Sequence, residues 1–243
     1  MLLPIGIVIG VVMGLTGAGG ALVAIPLFMH FLGMDLKEAS VYSLIAVVLA
    51  SLSNFYFQRK SANFKLAFLF ILASTIGSFI SHPYKALLPD TGIALLLAII
   101  AVYSLYNVWA PSQYEVSSKE EKLNLPKTVI IGLILGVLTT FTGLGGGVLM
   151  LPVLLSMYKL PQKVAVATSL LVVGFSSFAS FVIQASRGMN LKIDISFLAL
   201  ILGILITSYG LKWITSRIDS KKTDMIRKLV FTLVVIFSLA KIF

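Results

Sequence analysis

Long apolar runs, separated by short joints that hold the charges and several prolines, set the pattern of the chain. The runs cover residues 2–33, 39–57, 64–81, 91–110, 127–158, 164–185, 194–213 and 225–243. A helix needs about 20 apolar residues to cross a bilayer's hydrocarbon core, and six of the runs have that length. The first and fifth are longer and are interrupted at their middles by glycine clusters, Thr16-Gly17-Ala18-Gly19-Gly20 and Thr142-Gly143-Leu144-Gly145-Gly146-Gly147. Each glycine costs about 1 kcal/mol in a helix interior relative to alanine, so the clusters predict a break. The pattern predicts an all-α polytopic membrane protein with eight hydrophobic segments, two of them broken.

The clusters stand 126 residues apart, and the same offset aligns Gly6 with Gly132, Gly10 with Gly136, Pro26 with Pro152, Lys37 with Lys163, Ser43 with Ser169, Gln58 with Gln184 and Gly77 with Gly203. Thr, Pro, Gln and Lys falling into register without a gap mark an internal duplication. Residues 1–110 are read as the first repeat, 111–126 as a cytoplasmic linker and 127–243 as the second repeat. The Gly6, Gly10, Gly14 row has the spacing of a close helix contact.

A long run broken at its middle is either one broken crossing or a re-entrant hairpin. Cytoplasmic loops concentrate Lys and Arg, which arbitrates. Eight crossings divide the 19 basic residues nine against ten and orient nothing; two hairpins and six crossings divide them fourteen against five. The expected topology is therefore two inverted repeats, each a re-entrant hairpin plus three transmembrane helices, with both termini outside the cytoplasmic membrane. Non-helical backbone at membrane depth has to be covered by protein or water, so both elbows should lie in the interior.

Composition agrees with that picture and removes other function classes. Of the 243 residues, 58% are hydrophobic and 12% charged, with a mean hydropathy of +1.03; a soluble domain carries about a quarter charged residues. The apolar start, MLLPIGIVIGVVMG, lacks a basic leader and is read as mature protein. The excess of basic residues is scattered between apolar runs rather than gathered in a stripe, so topology accounts for it and nucleic acid is not an expected partner. Cysteine is absent, which excludes disulfides and thiolate chemistry. All nine carboxylates lie in joints or at segment ends, as do His30 and His82. No paired acids or metal-ligand spacing occur, so neither enzymatic activity nor a cofactor or metal is expected.

The glycine clusters lack the Gly-Lys-Ser/Thr of a phosphate loop and the G-x-G-x-x-G of a dinucleotide site. What an elbow does supply is unpaired backbone N–H groups at the start of the following helix, which carry partial positive charge and bind anions. The expected substrate-binding residues are Thr16, Gly17, Gly19 and Gly20 at the first elbow and Thr142, Gly143, Gly145, Gly146 and Gly147 at the second. Ser43, Ser51, Ser53 and Asn54 follow the first elbow on the next segment, and Thr168, Ser169, Ser176, Ser177 and Ser180 follow the second. Pore lining and bonding within helices are both open for these; Ser43, Asn54 and Ser169 are the pore-lining candidates.

Two halves that each open with such an element followed by a proline, GLTGAGGALVAIP at 14–26 and FTGLGGGVLMLP at 141–152, resemble the TauE/SafE family of membrane permeases over nearly the whole chain. Ala21 stands where the second half has Gly147, so the two elbows need not have equal roles. The resemblance implies a secondary transporter of a small sulfur-containing anion, such as sulfite, thiosulfate or an organosulfonate. An anion channel and a non-transporting assembly factor are the alternatives. With no carboxylate in the middle of a segment, coupling through a side-chain proton relay is not expected. Uncoupled flux, a proton carried on the substrate, or sodium remain.

Overall fold

The computed structural model describes residues 2–16, 20–109, 124–186, 196–215 and 220–242. They are helical throughout, without a strand: α1 (Leu2–Thr16), α2 (Gly20–Leu32), α3 (Leu36–Gln58) with a 3-10 turn at Arg59–Ser61, α4 (Phe64–Lys85), α5 (Asp90–Trp109), α6 (Leu125–Thr142), α7 (Gly147–Ser156), α8 (Gln162–Ala185), α9 (Ser196–Thr215) and α10 (Ser220–Ile242). The fifth run is divided at its glycines, while residues 17–19 of the first lie outside the described residues. Most of the linker expected at 111–126 lies outside the described residues.

Helix starts follow from their caps. Asp35 accepts the Glu38 N–H at 2.7 Å and starts α3. Asn63 caps α4 through the Leu66 N–H, and Asn124 caps α6 through the Lys127 N–H, with Pro126 in the first turn. Each cap satisfies one N–H that has no acceptor within its helix. Two boundaries differ from the sequence reading. Helix α6 begins inside the expected linker, and α4 continues past Ser81 through Pro83 to Lys85. Pro83 has no N–H to offer the carbonyl four residues before it, so α4 runs on with one ladder bond fewer.

Among the described residues five helical stretches are long and apolar enough to cross a membrane: Leu36–Ser61, Phe64–Lys85, Asp90–Asn107, Leu125–Thr142 and Gln162–Ala185. The distribution of side chains is that of a multi-pass membrane protein. Phe68, Ile76, Leu95, Ile99, Leu202 and Leu233 are exposed, whereas Ser40, Ser43, Ser51, Ser78, Thr139 and Ser177 are buried. So much exposed apolar surface would aggregate in water.

Helices α3 and α8 pack together at the centre. They run antiparallel. Leu52 meets Gly174 where the two helices cross, the N–H of Asn63 just beyond α3 reaches Thr168 near the start of α8, and Ser40 near the start of α3 shares the Lys85 ammonium with Gln184 near the end of α8.

The flanking helices pair through glycine notches. Helix α6 lies along α4, where a Cβ on Gly136 would overlap the Ser74 carbonyl and one on Gly77 would overlap the Leu133 carbonyl. Helix α1 lies along α9 in the same way, with Gly6 against Leu200, Gly10 against Ile204 and Thr207, and Gly203 against Leu3 and Ile7. The expected packing role of Gly6 and Gly10 is met. The first helix of each sequence half thus packs on the fourth helix of the other, using residues 126 apart.

Helix α7 returns from the elbow toward the level of the start of α6. The Thr128 hydroxyl near the start of α6 and the Tyr158 hydroxyl just beyond α7 lie 2.6 Å apart. Thr128 donates to the Asn124 carbonyl, so Tyr158 is the donor of this bond. The fifth apolar run therefore folds back at its glycine cluster.

Candidate functional site

The second elbow is built by glycines in a conformation other residues rarely adopt. Gly143, Gly145 and Gly146 have φ of 70°, 68° and 65°. Gly143 ends α6, its N–H donating to the Thr139 carbonyl at 2.9 Å. Gly146 caps α7 without a side-chain bond. The first α7 residues to reach the Gly146 carbonyl are Leu149 and Met150, so the N–H groups of Gly147 and Val148 precede the helical ladder. Space is as restricted as backbone conformation: a Cβ on Gly143 would overlap the Ser40 carbonyl, and one on Gly145 would overlap the Ser177 hydroxyl.

Side chains from α3, α6 and α8 fasten this elbow. The Ser43 hydroxyl donates to the Gly143 carbonyl at 2.9 Å and to the Ser40 carbonyl at 2.8 Å. Thr142 donates to the Leu138 carbonyl at 2.6 Å and accepts the Leu144 N–H at 3.3 Å. Both hydroxyls hold the elbow in shape, and their donor hydrogens are already used.

The other expected residues distribute differently. Gly147 opens α7 and is buried. Ser169 donates to the Val166 carbonyl of its own helix. Asn54 donates to the Ala50 carbonyl at 2.8 Å and to the Ser208 hydroxyl at 3.4 Å, tying α3 to α9. Neither of these two joins the elbow. Thr16 ends α1 and Gly20 opens α2; Gly17 and Gly19 lie outside the described residues, as does the Thr16 side chain.

Beyond Ser43 and Thr142, further hydroxyls that meet the second elbow were not in the expected substrate-binding set. A cavity of about 10 Å³, room for about one water, is lined by Gly145, Gly146, Ser74, Thr139 and Ser176, with Val173 and Met150 among its apolar walls. Beside it the Ser177 hydroxyl faces Gly145, fully buried and without a hydrogen-bond partner. Ser51, which the 126-residue offset aligns with Ser177, is also fully buried and unpartnered. Buried polar groups almost always find a partner, so a matched pair that does not invites a functional explanation.

A second feature is a correction. The charge count treated Lys85 as a solvated joint residue, yet it is buried at 8% exposure. Its ammonium donates to the Ser40 hydroxyl at 2.8 Å and to Gln184 Oε1 at 2.7 Å. The extra helical turn through Pro83 carries it there.

The chain is similar to known membrane proteins. The family described as sulfite exporter TauE/SafE matches residues 2–241. Similar curated proteins include the probable membrane transporter protein YunE of Bacillus subtilis strain 168, 25% identical over 214 residues covering 77% of this chain and 78% of the relative. The probable membrane transporter protein MJ0441 of Methanocaldococcus jannaschii is 28% identical over 197 residues, covering 75% and 72%. No solved structure matches the chain.

Proposed function

The chain belongs to the TauE/SafE sulfite exporter family, and the curated proteins similar to it are named probable membrane transporters; from that premise we propose that it is a secondary transporter of a small sulfur-containing anion such as sulfite, thiosulfate or an organosulfonate. The anion binds at the paired glycine elbows, held by the N–H groups that begin α7 and, at the first elbow, α2. The observation that carries this reading is the Ser177 hydroxyl, buried without a partner against Gly145. A bound oxyanion would accept its hydrogen and those of Gly147 and Val148 together.

The two sequence halves are taken as repeats of inverted topology in the cytoplasmic membrane, with both termini outside. The antiparallel course of α3 and α8 and the reciprocal glycine pairings support it. The cavity has room for about one water, less than a sulfur oxyanion needs, so this elbow has to rearrange to pass one. Alternating access does that, which favours a transporter over an open channel.

A bound ligand stabilises the folded state, so thermal unfolding of the purified protein with sulfite, thiosulfate, sulfoacetate, taurine and sulfate tests substrate class. At least one sulfur anion should raise the midpoint, and a flat response to all five would refute the reading. Transport of that anion into proteoliposomes under imposed proton, sodium and voltage gradients then assigns coupling.

A further inference from the structure

Lys85 is a buried cation without a carboxylate partner among the described residues. Its nearest basic neighbour along α3, Lys37, is engaged with Asp90 at 3.7 Å, where both side chains are partly exposed. An unpaired buried charge is costly, and neutral acceptors alone offset it incompletely. Two of its three N–H donors go to Ser40 and Gln184, leaving the third.

Gln184 adds an independent observation. An ammonium can only donate, so the amide presents Oε1 to Lys85 and turns Nε2 away. That Nε2 is buried, in a residue 4% exposed, and has no partner. Two unsatisfied donors of positive character therefore stand together where α3, α4 and α8 meet. No carboxylate touches either donor among the described residues, Asp35 at the start of α3 acting on Lys85 only through space, and an anion in contact would complete them.

We propose that Lys85 and Gln184, positioned by Ser40, form a second anion-binding station for a small sulfur oxyanion. The station joins the elbow through a single turn of α3: the Ser40 carbonyl lies against Gly143 and accepts the Ser43 hydroxyl, which also bonds Gly143. An anion held at Lys85 is thus one helical turn from the elbow. That it precedes the elbow on a transport path rests on the proposed function; the station itself does not. The offset of 126 places Val166 at the position of Ser40, so the hydroxyl that holds the ammonium is not repeated in the other half.

Gln184→Glu separates this from a structural clamp. The substitution keeps shape and supplies the missing carboxylate, so a clamp would be preserved or strengthened while an anion site would be filled from within. The full-length protein and its variants are titrated with sodium sulfite and sodium sulfate by thermal unfolding, and KM for sulfite is measured in proteoliposomes. The expected result is that Gln184→Glu unfolds at or above the wild-type midpoint without anion, yet raises KM about tenfold or more, the scale of a lost charged hydrogen bond. Lys85→Met, if Gln184→Glu does not fold, should raise KM similarly, and Lys85→Arg should retain most of the affinity. A stabilisation by anion that survives Ser177→Ala and disappears in Ser177→Ala/Gln184→Glu supports the station even if the elbow reading fails. An unchanged KM and unchanged stabilisation in Gln184→Glu or Lys85→Met would overturn it, as would a wild type that responds to neither anion.

Discussion

The backbone N–H of Asn63 donates to the Thr168 hydroxyl at 2.9 Å, across 105 residues of chain. The bond is the first of three that fasten α4 along α8. Ser78 and Ser180 follow with hydroxyls 2.7 Å apart, and Lys85 with Gln184 closes the series at 2.7 Å. Helix α4 of one sequence half is thus tied along its length to α8 of the other, and the two should move as one body.

Cysteines at positions 78 and 180 test that directly, since the native chain has none to interfere. Oxidising a Ser78→Cys/Ser180→Cys protein should link α4 to α8 and leave the flux of an organosulfonate such as sulfoacetate, which unlike sulfite does not cleave a disulfide, within about twofold of the reduced protein, because a disulfide spans the separation these side chains already have. Flux that stops on oxidation and recovers on reduction would show that α4 slides on α8.

Ser177→Ala removes a donor that bonds nothing in the folded protein. Replacing an unsatisfied buried hydroxyl by a methyl group is neutral or stabilising, by up to about 1–3 kcal/mol. The unfolding midpoint should hold or rise, while affinity for the transported anion falls about tenfold. The opposite outcome, lower stability with normal transport, would make Ser177 a packing residue.

The notched contacts predict a contrast between two glycines. Ala at Gly77 would press on the Leu133 carbonyl of α6 and should cost about 1–3 kcal/mol of stability, the range for overpacking. Gly210 on α9 has nothing within 4 Å of its would-be Cβ, so Gly210→Ala should gain up to about 1 kcal/mol from helix propensity. Thermal unfolding of both variants in detergent, read against wild type, checks the sign.

Topology is tested with an impermeant thiol reagent and single cysteines at Ser61, Ser112, Ser118 and Ser220. All four should stay unlabelled in intact cells and become labelled in lysed ones. Labelling from outside at these sites would reverse or refute the arrangement inferred from the fourteen to five charge count.

The break in the fifth run and the packing role of Gly6 and Gly10 were legible because glycine acts locally, through backbone freedom and the space its missing Cβ leaves. Which hydroxyls meet the elbow was not. Ser43, Ser176 and Ser177 all follow a cluster on an apolar helix, and only packing distinguishes the one with a free hydrogen. Lys85 was lost for a different reason. A basic residue after His82-Pro83 reads as a solvated joint, and nothing local marks the additional turn that carries it between α3 and α8. An isolated cation flanked by a tyrosine and a run of apolar residues was the available signal.

The glycine pairings of α4 with α6 and α1 with α9 also bear on how the protein is made. During synthesis the first half emerges with the notched faces of both α1 and α4 unoccupied, and their matching surfaces arrive only with α6 and α9. The early helices therefore have to wait in the membrane, threaded but not yet docked. Chain cut within the linker should yield two fragments that insert separately, each with two vacant grooves that only the other can fill.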